Sequence, residues 1–126
     1  NLGADTNNSN LKNTYGEVKV YSYAEGREVG TGSQFCGLFM GDHAKSGINT
    51  MFNTGTVVGV AANVFGGGFP PKRIPSFAWG GADGLDTYDI ERAIASARRV
   101  MARREQVLTA PAEAVLRQVF AAEQRA

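Results

Sequence analysis

The chain is short of the residues that staple, span or bind metal. Cys36 is its single cysteine, so no disulfide can close within it, and a reducing, cytoplasmic setting is the expectation. His43 is its single histidine, too few for a three-histidine zinc site, and Asp5, Asp42 and Asp83 are too scattered to argue a cluster. No apolar run approaches the roughly 18 residues of a membrane helix, and no charged-then-apolar leader opens the sequence. Charge of one sign is also lacking. Thirteen Lys and Arg face 12 Asp and Glu, a net +1, which argues against a nucleic-acid partner or an anionic membrane surface.

What the chain has is glycine, unevenly placed: 14 of the 16 lie in residues 1–80. That break predicts two parts, a repeat-bearing stretch over 1–80 and a helical extension over 81–126. A length of 126 residues with 43% apolar content suffices for one core.

From Met40 to Phe69 the sequence divides into five hexads, MGDHAK, SGINTM, FNTGTV, VGVAAN and VFGGGF. Met40, Phe52, Val58 and Val64 give bulk at the first place, where Ser46 alone is small. Ala44, Thr50, Thr56, Ala62 and Gly68 keep the fifth place small. A period of six fits neither a helix nor a plain alternating strand. It predicts short strands joined by tight corners, with Gly41, Gly47, Asn53 and Gly59 supplying positive φ at the second place. Three hexads per turn predict a parallel β-helix with first-place side chains inside. The spacing does not set the hand, although parallel crossovers are right-handed in about 98% of cases.

LGADTN and NSNLKN at residues 2–13 read as two more sides of a turn. Residues 14–33 leave the pattern, and a strand, a turn and a returning strand predict an inserted hairpin there. The frame resumes at QFCGLF, slipped by two residues. Pro70, Pro71 and Pro75 close the stack, and Phe77 and Trp79 cover its end. Asp86 or Thr87 is read as the cap of a helix from about Tyr88 to Gln106, with Ile90, Ile94, Ala97 and Met101 on one face and Arg92, Arg99 and Arg103 on another. A second helix begins near Thr109, with Pro111 in its first turn and Leu116, Val119 and Phe120 as its stripe. The arginine face reads as solvated surface ahead of an anion site.

His43, near a corner, reads as a turn residue first and a general base second, since a base needs a pKa near the working pH. Lys72 and Arg73, stiffened by flanking prolines, are candidates to grip a phosphate. Gly66-Gly67-Gly68 lacks the Lys-Ser/Thr of a phosphate loop and follows the hexad spacing.

Asn1-Leu-Gly-Ala-Asp-Thr6 followed by Asn10 resembles a motif of the bifunctional N-acetylglucosamine-1-phosphate uridyltransferase/glucosamine-1-phosphate acetyltransferase family. The strings GADTNNSNLKN, QFCG, GDH and GINTMFNTGTVVGV are similar to those of a bacterial group of sugar nucleotidyltransferases with a hexapeptide acyltransferase-like tail. The resemblance implies an all-β fold, a left-handed parallel β-helix with an inserted hairpin and a C-terminal pair of helices. It also implies a homotrimer, with earlier turns and a nucleotidyltransferase domain, where Mg2+ belongs, preceding residue 1.

Its implied function is transfer of acetyl from acetyl-CoA, the co-substrate, to an amino-sugar 1-phosphate in UDP-sugar synthesis. The alternative is a non-catalytic trimerisation or ligand-sensing module. By position the resemblance assigns Asn1, Asn10 and Lys12 to the sugar phosphate, and Ala4 and Asn10 to the thioester arm. Lys72 and Arg73 then become candidates for the phosphates of CoA. The family's catalytic histidine falls upstream, leaving His43 as the one candidate within the chain. Leu11 and Ile48 stand where the family has a tyrosine and a serine.

Overall fold

The computed structural model describes residues 1–126 throughout. Its strands are β1 (Asn7–Asn8), β2 (Lys19–Ser22), β3 (Arg27–Gly30), β4 (Phe39–Met40), β5 (Lys45–Ser46), β6 (Met51–Phe52), β7 (Val57–Val58), β8 (Asn63–Val64), β9 (Arg73–Ile74), β10 (Ala78–Gly81) and β11 (Gly84–Thr87). Two helices follow, α1 (Ile90–Ala102) and α2 (Ala110–Arg125).

The hexads set the local register. Phe39 pairs with Val57 and Lys45 with Asn63, each partner 18 residues on, in parallel ladders of two residues. Because neighbours on a strand alternate faces, one residue of each pair turns inward. Phe52, Val58, Val64 and Ile74 are all within 2% of full burial and form one core with Ala44, Ala62 and Ala78. The small fifth place is a packing requirement: Ala44, Thr50, Thr56 and Ala62 are all buried. Thr50 and Thr56 satisfy their buried hydroxyls by donating to the carbonyls three residues back, Gly47 O at 2.9 Å and Asn53 O at 2.7 Å.

Positive φ falls elsewhere than the sequence suggests. His43, Asn49, Gly55 and Ala61 carry it, at 61°, 58°, 65° and 56°, the fourth place of successive hexads. The second-place glycines answer a different demand, close approach of the neighbouring chain. A Cβ on Gly59 would lie 2.3 Å from Ser76 N, and one on Gly41 2.8 Å from Val60 N.

The fold class expected from the repeat is corrected by this topology. The chain is not an all-β left-handed parallel β-helix, and no closed or solenoid β-helix is formed. It is a small mixed domain, with short strands in sheets of two to four strands, parallel and antiparallel, and two helices. The physical reason lies outside the hexads. The β2–β3 hairpin is antiparallel, and β11 turns back on β10 to close the four-stranded sheet in antiparallel sense. Each helix then buries its stripe in a second core rather than extending a coil. Ala93, Ile94, Ala97, Leu108 and Leu116 pack there on Ala61 and Phe77, with Phe77 and Phe120 in edge contact at 5.2 Å.

The antiparallel return also moves the helix start. The sheet keeps Thr87, Tyr88 N donates to Phe77 O, and α1 is capped by Asp89, whose carboxylate accepts from Arg92 N at 2.9 Å. Thr109 caps α2, accepting from Ala112 N at 3.3 Å.

Candidate functional site

The residues singled out in the sequence fall into four places. Asn1 lies against β5: its backbone nitrogen donates to Ala44 O at 3.0 Å and its carbonyl accepts from Ser46 N at 3.0 Å. That pairing sets Asn1 beside the His43 corner. The carbonyl of exposed Ala4 accepts from Asn49 N at 2.9 Å, one corner on. Thr6 ties the same edge down, with its hydroxyl 2.8 Å from that of Ser46.

His43 is half-buried in its left-handed corner. Burial lowers its pKa, and the Lys45 ammonium lowers it further, against an upward pull from Asp42. The imidazole is therefore held neutral at pH 7, the form that accepts a proton. Lys45 is itself lowered by burial and donates from Nζ to His43 O at 2.9 Å. A neutral imidazole, an ammonium and the polar edge of Asn1 thus share one corner.

Asn10 stands apart from that corner. It is exposed, and its carbonyl accepts from Cys36 N at 2.9 Å. Lys12 and Lys72, 60 positions apart, line one open cleft of about 410 Å³ with Ser9, Asn53, Thr54 and Phe69. The Lys72 ammonium donates to Lys19 O at 2.9 Å and lies 3.6 Å from a Glu28 oxygen, which holds it at the rim. Two ammoniums among hydroxyl and amide groups are a chemistry suited to phosphate oxygens.

Arg73 does not join Lys72. On β9 it alternates with buried Ile74 and does not line the cleft that Lys72 borders. Its guanidinium sits 4.3 Å over the Tyr21 ring, and Nη2 donates to Glu123 at 3.2 Å. Its buried Nε has no partner. This arginine stitches the hairpin to α2, and the sequence had no means of showing that adjacent cations diverge beyond the period of two itself.

A place the sequence reading missed is a cleft of about 540 Å³ between β10 and α1. Trp79 and Tyr88 form its floor, with ring centroids 4.7 Å apart, and Arg92, Ser96 and Arg99 border it from the helix. The arginine stripe was visible in the sequence, whereas the aromatic floor opposite it depends on the antiparallel return of β11. No group of three His, Cys, Asp or Glu side chains able to hold a metal ion is present, and no helix is long and apolar enough to cross a membrane. No protein-family model matches the chain, and no curated protein matches it.

Proposed function

We propose that this chain is an acyltransferase-like tail of a sugar-phosphate nucleotidyltransferase. Its task is to bind acetyl-CoA and an amino-sugar 1-phosphate for acetyl transfer, as part of a cytoplasmic homotrimer. The observation that carries the reading is the meeting of Lys12 and Lys72 in one polar cleft. The family resemblance implies a sugar-phosphate contact for Lys12, Lys72 is a candidate to grip a phosphate of CoA or of a sugar phosphate, and both substrates present phosphate. Acyl transfer to an amine also needs a base that is unprotonated at neutral pH. His43 is held in that state, with Asn1 beside it.

The test uses the full natural chain with acetyl-CoA and glucosamine 1-phosphate, read as release of the CoA thiol. The reading expects release that depends on the amino sugar and falls in Asn10→Ala and His43→Gln. A second reading, a non-catalytic assembly or ligand-sensing module, is favoured by the large apolar side chains left exposed, Phe39 at 51% and Ile48 at 70%. A chain that assembles into trimers yet neither binds CoA nor releases thiol would establish that second reading.

A further inference from the structure

Trp79 is the only tryptophan of the chain and remains 38% exposed. On β10 it alternates with buried Ala78 and Gly80, so its indole must face outward. Phe65 packs edge-on against it at 5.3 Å and Tyr88 packs at a 55° tilt, which fixes the ring in place without covering it. An indole braced by two other rings and still open to solvent is a platform awaiting something to cover it.

The other wall is polar. Arg92, Ser96 and Arg99 are spaced four and three residues apart, so they share a face of α1. Arg99 Nη2 donates to Ser96 Oγ at 3.3 Å, and that hydroxyl lies 3.1 Å from the Tyr88 hydroxyl, giving a connected rim. Arg98 and Arg117 on the same two helices are in salt bridges with Glu113 and Glu91, whereas Arg92 and Arg99 are in none. Asp86 and Asp89 border the same cleft and are likewise unpaired with any cation. Asp89 uses Oδ1 as the helix cap and has no protein donor on its other oxygen.

We propose that this cleft binds a phosphorylated sugar. The ring's C–H face covers Trp79, its hydroxyls donate to Asp86 and Asp89, and the phosphate bridges Arg92 and Arg99. Each element matches a feature of the ligand: flat apolar surface to the indole, vicinal donors to carboxylates, and a dianion to two guanidiniums. A volume of about 540 Å³ falls within the roughly 300–1,000 Å³ of small-molecule sites. The same chemistry is presented by a free sugar phosphate and by the ribose phosphate of a nucleotide. The cleft shares no residue with the Lys12/Lys72 cleft, so the inference stands whether or not acyl transfer does.

Trp79, as the sole indole, reports its own site. Its fluorescence, titrated with glucose 1-phosphate, is expected to change saturably, with glucose alone and inorganic phosphate alone each weaker by about tenfold or more. Arg99→Gln and Arg92→Gln, both on an exposed helix face, are expected to weaken glucose 1-phosphate by about tenfold while leaving the circular dichroism unchanged. Uridine 5′-monophosphate distinguishes the sources: tighter binding than glucose 1-phosphate assigns the site to a nucleotide, weaker binding to a free sugar phosphate. No saturable change, an equal response to inorganic phosphate, or full binding by the Arg92→Gln/Arg99→Gln double variant overturns the proposal.

Discussion

Single residues carry opposing demands at the corners. At His43 the largest effect on the ring is burial, which lowers its pKa, followed by Lys45. The folded value therefore lies below the unfolded one of about 6.5. Above that value neither state binds the proton, and this contribution to stability is fully present. As pH falls from about 6.5 through the folded value, the unfolded chain takes up the proton first and stability declines. An NMR titration of the ring is expected to give a midpoint below the ordinary imidazole value, moving upward in Lys45→Gln. A midpoint at or above the ordinary value would contradict the neutral-base account.

Gly59 illustrates the other demand. A methyl group there meets Ser76 N at 2.3 Å and Ser76 Cα at 2.6 Å, backbone atoms that cannot rotate aside. Gly59→Ala is expected to destabilise by about 1–3 kcal/mol in urea unfolding. Gly67→Ala meets nothing within 4 Å and is expected to stay within about 0.5 kcal/mol. Equal effects at the two positions would remove close approach as the reason for second-place glycine.

Among the elements, the helical pair depends on Phe77. This residue is 1% exposed, holds a φ of 58° that a bulky side chain resists, and meets Phe120 at 5.2 Å. Phe77→Ala is expected to cost about 3–5 kcal/mol. Amide exchange should accelerate in α1 and α2 while the β5–β8 ladder keeps its protection. Uniform acceleration across the chain would mean that the two cores unfold as one. Thr109→Ala, which removes the α2 cap, is expected to cost about 1 kcal/mol.

The elements also show what could be read beforehand. Inward Phe52, Val58 and Val64 and the stripes of both helices were legible because each needs only local periodicity. Sheet direction past Phe69 was not legible, since nothing in Ala78 to Thr87 distinguishes an antiparallel return from a capping segment. From that one element follow the later start of α1 and the Trp79 cleft, and together with the β2–β3 hairpin and the helices it makes the fold mixed. The corners were displaced by two places for a similar reason: glycine serves both positive φ and close approach, and sequence cannot separate the two uses. The candidate site was legible as residue types only. Lys12 beside Lys72, and Arg73 turned away from both, are consequences of folding that spacing does not encode.

In the whole molecule two clefts with different chemistry lie on separate elements. The Lys12/Lys72 cleft is bordered by β-strand corners and offers ammoniums, while the Trp79 cleft lies against α1 and offers an aromatic floor with guanidiniums. The acyl-donor recognition proposed above rests on the first, and its most direct measurement is calorimetric titration of acetyl-CoA onto the protein, repeated with Lys12→Gln and Lys72→Gln. The account predicts saturable binding that weakens by about tenfold in Lys72→Gln, stays close to the parent in Lys12→Gln, whose ammonium is the sugar-phosphate candidate, and weakens with added salt, as expected for charge-assisted contacts to phosphate. Binding that is absent, or that is identical in the parent and both variants, would contradict it.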